Sequence, residues 1–396
     1  VDLVPMGCAN CSGPSYGVND QGQSFQEVYI IGERLGKGSY GVVKEVIAKT
    51  SYQQVFAAKF IARESEKRDP RKIKKAELER CQRALADPNT DEEFKAHIRN
   101  TIGHLRRQLQ KMTVRMTEEA ILAEVDILRK CGDHPRICAI HDFFVSPNFY
   151  VLLLTRCYRS LERCKPWGGW AEESTPAAYF LHLCEALAFL HEKDIIHRDV
   201  KPDNMMLTGE ETAVLCDMGL AVELKQGQER THPQQTAGTL SYLPPEANVI
   251  GQGRPGDIWA AGCTLYWLVF DQVPPFQRLE GTESLAVREG MVLSSRSGTR
   301  GISSSFKGSR ARKADKSLRS SEKSEALLEV AKPEHYDLSK IFEHSVVSKL
   351  RPRGKPRSEE VAALIRSILQ MDPSARPTAA GLVKEPWALL GAEVES

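Results

Sequence analysis

The chain has 396 residues, 54 Lys and Arg against 52 Asp and Glu, 41% hydrophobic and 27% charged side chains, and ten cysteines. That composition is globular and large enough for two core-bearing lobes, and a formal charge of +2 gives no whole-chain argument for nucleic acid as a partner. The longest nearly apolar stretch, Trp259 to Phe270, falls well short of the roughly 20 residues of a membrane helix. No basic start followed by an apolar core marks the N-terminus for secretion, so a cytoplasmic, reducing location is expected. The cysteines are scattered, and the close pair Cys8 and Cys11 has no second Cys/His pair at zinc-ligand spacing, so free thiols are expected.

In chain order, residues 1–26 read as a disordered N-terminal segment. From Tyr29 to about Leu154, short β-branched and aromatic runs (Tyr29-Ile30-Ile31, Val42-Val43, Tyr150-Val151-Leu152-Leu153) are punctuated by glycines and predict a β-rich lobe over about 27–154. A charged helical insert over 62–111 interrupts it: a helix over 71–87, a break at Pro88, and a second helix capped by Asp91 and running to about Met112. Beyond, Phe180, Leu183, Leu187 and Leu190 recur at intervals of three and four and predict an amphipathic helix over 175–191 in a mainly helical lobe over 155–388. Residues 294–321 hold ten serines, eight basic residues and one acid, too few large apolar side chains to offset chain entropy, so a disordered basic insert is expected over about 281–332, with a tail at 389–396.

The chemistry begins at Gly36-Lys37-Gly38-Ser39-Tyr40-Gly41-Val42-Val43, where glycines let backbone amides approach phosphate oxygens. Such a pattern also opens dinucleotide-binding units, but those place a helix after the last glycine, whereas this chain continues as a β-prone run. Lys59 ends the apolar run Val55-Phe56-Ala57-Ala58 and reads either as a solvent-facing strand end or as a phosphate ligand. Then come His197-Arg198-Asp199-Val200-Lys201-Pro202-Asp203-Asn204, Leu215-Cys216-Asp217-Met218-Gly219, and Pro244-Pro245-Glu246. With these motifs in this order the chain resembles the eukaryotic protein kinases over residues 27 to 388.

The resemblance implies a bilobal α+β kinase fold and the transfer of the γ-phosphoryl group of ATP to Ser/Thr hydroxyls of protein substrates, a reaction that asks mainly for positioning and charge stabilisation. It implies that Lys59 holds the α/β-phosphates and pairs with Glu124, that Asp199 orients the substrate hydroxyl, and that Lys201 neutralises the transferring group. Asn204 and Asp217 would bind Mg²⁺ through hard oxygen ligands. Gly36, Lys37, Gly38 and Gly41 would cover the phosphates, Val43, Ala57 and Met206 would enclose the adenine, Leu153 would be the gatekeeper, and Leu154-Thr155-Arg156-Cys157 the hinge. Lys201 points to Ser/Thr acceptors, with Thr239 beside Asp199. Asp257 and Arg376 read as structural anchors, with Arg376 pairing Glu246.

Some positions depart from the pattern. Met218 stands where Phe is usual, and Ser160 and Trp267 stand where glutamates commonly select basic substrates. A narrower resemblance, to the calcium/calmodulin-dependent-kinase-like group and its kinase kinases, rests on Val55–Lys59 with the basic insert after it, on Thr236-Ala237-Gly238-Thr239 and on the run from Trp259 to Phe270; it implies other kinases as substrates. Thr236 is the expected activating phosphosite, its phosphate answering Arg198, and Cys216 is expected to be open to an electrophile in the nucleotide site. Met6-Gly7-Cys8-Ala9-Asn10-Cys11-Ser12 resembles an acylation start in which Gly7 carries myristate and Cys8 and Cys11 palmitate, which would attach the chain to membranes. The rival class is a pseudokinase scaffold, which would need a lost catalytic group.

Overall fold

The computed structural model describes residues 16–37, 41–63, 70–86, six positions between 95 and 105, 117–166, 170, 172–274, 338 and 358–392. Gly38, the acylation residues Gly7, Cys8 and Cys11, and the basic insert over 281–332 lie outside the described residues.

The first lobe is a five-stranded antiparallel sheet, β1 (Tyr29–Lys37), β2 (Val42–Ala48), β3 (Ser51–Ala62), β4 (Ile140–Val145) and β5 (Phe149–Thr155), in the order β1-β2-β3-β5-β4. Strand side chains alternate between faces, and here each face has its own cover. On one face Val46, Ala58, Phe60, Phe144, Val151 and Leu153 pack with Phe25 into an aromatic-rich cluster. The Phe25 ring stands edge-on to Phe144 at 5.1 Å. The chain before β1 is therefore part of this lobe: Val18 bridges to Val145, and Asn19 Nδ2 donates to Asp142 Oδ2 at 2.8 Å. The expectation of disorder up to residue 26 fails over 16–26, because Phe25 and Tyr16 supply the apolar cover that this face of the sheet needs.

The opposite face carries Ala57 and Lys59 and receives helix α2 (Glu118–Cys131). Thr117 caps that helix by accepting from Ala120 N, Glu118 and Glu119 sit at its start and Arg129 and Lys130 at its end, charges that suit the helix dipole. Its buried stripe is Ile121, Glu124, Val125, Ile127, Leu128 and Cys131. In the insert, α1 runs Pro70–Ala86, as the first expected helix does, and the six described positions from 95 to 105 are helical with Ile98, Ile102 and Leu105 buried; the rest of the second expected helix lies outside the described residues.

The second lobe is built on α3 (Ser174–Glu192) and α4 (Arg254–Phe270), with α5 (Glu359–Ile368) and the turn Pro386–Leu389 against them. Phe180, Leu183, Leu187 and Leu190 are fully buried, as their spacing predicts, but α3 also buries Ala177, Leu181 and Cys184, so it is covered on nearly every side. Glu173 clasps the ends of this lobe together: its carboxylate accepts from Ser358 N and Oγ and from Trp387 Nε1, all at 2.7–2.8 Å. Arg376, its guanidinium sealed from solvent, makes a bidentate pair with Glu246 at 2.7 and 2.8 Å.

At the start of α4, Asp257 accepts from the backbone N–H groups of His197 and Arg198 at 2.8 and 2.9 Å and from the His191 ring at 2.9 Å. Burial pushes the Asp257 carboxyl up, but these donors and the nearby imidazoles outweigh it and hold the group below its ordinary range.

Two substitutions test these anchors. Arg376→Ala leaves the Glu246 carboxylate buried without its cation and is expected to cost about 3–5 kcal/mol in urea denaturation of the purified chain; an unchanged midpoint would contradict the pairing. Asp257→Asn removes a depressed carboxylate, whose stabilisation is full above the ordinary carboxylate range and is lost as pH falls through the folded value. At neutral pH the variant should be less stable by about 1–3 kcal/mol, and the gap to wild type should close on acidification.

Candidate active site

Lys59 leaves β3 on the cleft side, its register partner across the ladder being Leu152 on β5 and Val43 on β2. Its Nζ lies 2.6 Å from Glu124 Oε1 and 3.7 Å from Asp217 Oδ1. Burial alone would lower the lysine, but the two carboxylates outweigh it and keep the ammonium charged; burial raises Glu124 against the pull of Lys59. Glu124 Oε2 has no hydrogen-bond partner and is sealed from solvent. The reading of Lys59 as a solvent-facing strand end is thereby excluded.

The glycine-rich turn joins β1 to β2, with Gly36 opposite Val43 and Lys37 opposite Val42. Gly41 is demanded by packing as well as by any phosphate: a Cβ there would stand 2.2 Å from the Phe60 carbonyl oxygen.

Below the sheet, the loop after the short strand Ile195–Ile196 brings the remaining groups together. Asp199 Oδ1 accepts from Thr239 N at 3.0 Å and from Thr239 Oγ1 at 2.7 Å, while Oδ2 accepts from Lys201 Nζ at 2.6 Å and Asn204 Nδ2 at 3.0 Å. Lys201 Nζ also donates to Thr239 Oγ1 at 2.7 Å. Gly238, with φ of +120°, makes this approach feasible, because a Cβ there would meet the Arg198 carbonyl oxygen at 2.3 Å. Asp217, left-handed at φ 64°, turns an exposed carboxylate toward the Lys59 side of the cleft.

A divalent cation fits this donor set. Asn204 spends its amide hydrogens on Asp199 O and Oδ2, which leaves its carbonyl oxygen as a hard ligand, and Asp217 supplies a carboxylate. Met218, in place of phenylalanine, is almost fully buried in the core that also holds Val125 and Leu128 of α2, so the substitution keeps the packing role.

The adenine side differs from expectation in one register step. Leu153 belongs to the aromatic cluster on the far face of the sheet, together with Ala58, and does not line the cleft. Leu154, one residue on, faces inward beside Met206, Cys138, Cys157 and Cys216. Alternation along β5 makes Leu154 the residue at the gatekeeper place and moves the hinge to Thr155-Arg156-Cys157. Thr155 does not offer its side chain to a ligand: Oγ1 accepts from Ala139 N and meets the His141 ring, tying the hinge to the approach to β4. Arg156 pairs with Glu45 of β2 at 3.1 Å.

Arg198 is not left without acceptors: Nε donates to Leu220 O at 2.7 Å and Nη1 to Gln235 O at 2.9 Å. The Thr236 hydroxyl bonds the carbonyls of Pro233 and Ala247 at 2.7 and 2.8 Å. The geometry therefore does not ask for a phosphate at Thr236. Cys216, the expected electrophile target, is half-buried and pushed well above an ordinary thiol by hydrogen bonds with Cys138 and Cys157 and by burial, whereas Cys157 is drawn down by the same neighbours. A protonated thiol is a weak nucleophile, so Cys216 is poorly set up for that reaction.

One group went unnoticed in the sequence. Glu162, in the turn Leu161–Cys164, is lifted to about 7 by partial burial and by the neighbouring Asp203, against the charges of Arg163 and Lys201. Its only sequence signal is an acid shortly after the hinge.

Comparison with known proteins bears on this arrangement. The protein kinase domain family matches residues 104–388. The serine/threonine-protein kinase PEPKR2 of Arabidopsis thaliana is 29% identical over 164 residues, covering 41% of this chain and 34% of that protein. PLK4 of Drosophila persimilis is 33% identical over 159 residues (38% and 19%), and the serine/threonine-protein kinase Aurora-1 of Arabidopsis thaliana 30% identical over 185 residues (45% and 58%). Each match spans less than two thirds of the relative's own length. The family match takes in the Glu124 helix, the Asp199 loop and Asp217, and the sheet before it delivers Lys59 to the same cleft; the chain belongs to the protein kinase family.

Proposed function

We propose that the chain is a protein serine/threonine kinase that transfers the γ-phosphoryl group of ATP to a Ser or Thr hydroxyl of a protein substrate. The observation that carries this is the closed set of hydrogen bonds among Asp199, Lys201, Asn204 and Thr239, together with the intact Lys59–Glu124 pair. Lys59, held by Glu124, positions the α/β-phosphates. Asn204 and Asp217 would hold Mg²⁺, which would supply charge neutralisation for the phosphates. Asp199 orients the acceptor hydroxyl and takes its proton, and Lys201 offsets charge on the transferring group. Lys201 and the serine/threonine kinases among the relatives support Ser/Thr as acceptors. A pseudokinase reading has no support at these positions, since each group the reaction uses is in place.

The grouping with calcium/calmodulin-dependent kinases, and with it another kinase as substrate, is a proposal from motif likeness alone; the named relatives carry other kinase names. For substrate choice, Glu162 and Asp203 form an acidic pair beside Lys201 and stand in for the glutamates absent at Ser160 and Trp267. A basic side chain near the acceptor suits that pair.

Asp199→Asn keeps the size of the side chain and removes the base. It should lower γ-phosphate transfer to a peptide by about 10²–10⁴-fold while nucleotide binding persists; a rate equal to wild type would refute catalysis at this site. For substrate choice, Glu162 ionises as pH rises through about 7, so the KM for a peptide with arginine near the acceptor should fall over that range. Glu162→Gln should flatten that limb and leave the KM for a neutral peptide unchanged. An identical pH profile in the variant would remove Glu162 from substrate recognition.

A further inference from the structure

Three cysteines, far apart in the chain, converge where the lobes meet. Cys138 lies just before β4, Cys157 in the hinge, and Cys216 directly before Asp217. Their three sulfur atoms all lie within 4.8 Å of one another, and they are the one such group of three potential metal ligands among the described residues. No disulfide joins them. Cys138 and Cys157 are buried and Cys216 half-buried, so the group is shielded yet reachable from one side.

Local backbone pairing holds the three in place. Cys138 N donates to Leu215 O at 3.0 Å, Cys216 N to Asn204 O at 2.8 Å, and Thr155 N to Ala139 O at 3.0 Å. Besides one another, the sulfurs have weak carbonyl partners: Cys138 and Cys157 approach Thr155 O at 3.9 and 3.7 Å, and Cys216 approaches Val214 O at 3.8 Å. Val214, Leu154 and Met206 wall the group with apolar surface.

We propose that Cys138, Cys157 and Cys216 together bind one thiophilic closed-shell metal ion, Cu(I) or Zn(II) in type, between the hinge and the strand that leads to Asp217. Soft thiolates select such ions, and a metal about 2.3 Å from each sulfur sets the sulfurs roughly 3.8–4.0 Å apart, a spacing compatible with sulfurs that all lie within 4.8 Å of one another. Cu(I) is satisfied by three sulfurs. Zn(II) takes a fourth ligand from outside the three cysteines. Each thiol loses its proton to solvent as its metal–sulfur bond forms, and no change of oxidation state is involved. The site is separate from the Mg²⁺ ligands Asn204 and Asp217, which offer oxygen.

The test uses the full chain carrying Cys8→Ser and Cys11→Ser, so that the N-terminal thiols do not compete. The reduced, metal-free protein is titrated without oxygen with Cd²⁺, as a spectroscopic substitute for Zn(II), and separately with Cu(I), while the ultraviolet thiolate-to-metal charge-transfer band is followed. The band should saturate at one ion per chain, persist in Cys164→Ser, and require at least about 100-fold more metal in Cys157→Ser, the upper end of what even an outer-shell loss costs. The ion that saturates identifies which of the two the site prefers. Should Cys157→Ser fail to fold, alkylation mapping of the parent protein decides: bound metal should protect Cys138, Cys157 and Cys216 and leave Cys81 and Cys164 reactive. Absence of a band with both ions, an undiminished band in folded Cys157→Ser, or protection that does not fall on the three cysteines overturns the site.

Discussion

The Lys59–Glu124 ion pair fixes, at the cleft, the distance between two elements that otherwise meet mainly through apolar packing. Lys59 comes from the middle of the sheet and Glu124 from the helix laid across it, and their charged atoms meet at 2.6 Å with both side chains almost wholly out of water. Desolvating two charges is costly, and geometry this close is what makes the pair tolerable. Because Asp217 approaches the same ammonium at 3.7 Å, the pair also links the sheet to the second lobe. Glu124 Oε2 remains unpartnered, an orphan acceptor kept beside the place where phosphate and cation are expected to sit.

A second constraint hangs the Asp199 loop from the helical lobe. Asp257 receives two successive backbone N–H groups of that loop, and Arg198, left-handed at φ 65°, reaches back to the carbonyls of Leu220 and Gln235. Non-glycine residues held in that region are strained, and Arg198 and Asp217 both are. The surrounding hydrogen bonds hold these conformations, and the segment from Asp217 to Glu246 is tied by side-chain donors to main-chain carbonyls, Arg198 to Leu220 and Gln235 and Thr236 to Pro233 and Ala247. That is why Arg198 is satisfied without a phosphate on Thr236.

The hinge shows how one strand serves two purposes. β5 sends Val151 and Leu153 to the aromatic cluster, and Leu152 and Leu154 to the cleft. Where β5 ends, Thr155 turns its hydroxyl inward to the chain before β4, and Cys157 joins Cys138 and Cys216. The end of β5 therefore meets a small cluster rich in sulfur, in which Cys138, Cys157 and Cys216 pack with Leu154, Met206 and Val214.

The amino-acid sequence alone determined the features that depend on neighbours along the chain. The Asp199 loop, the Asp-Met-Gly turn and the spacing of Phe180, Leu183, Leu187 and Leu190 are local patterns that the structure places in their expected elements, and the strands flanking the glycine motif end at Lys37 and begin at Val42. Glu124 and the Arg376–Glu246 pair were legible only through the resemblance to the protein kinases, which supplied partners that no local pattern names. Tertiary structure decided what depends on which face a side chain takes. Four consecutive apolar residues, Val151 to Leu154, hide the alternation that assigns Leu153 to the outer cluster and Leu154 to the cleft, since every one is apolar whichever way it points. The packing of Tyr16 and Phe25 on the sheet and the meeting of three cysteines from residues 138, 157 and 216 are contacts across long stretches of chain, and no periodicity in a single segment encodes them.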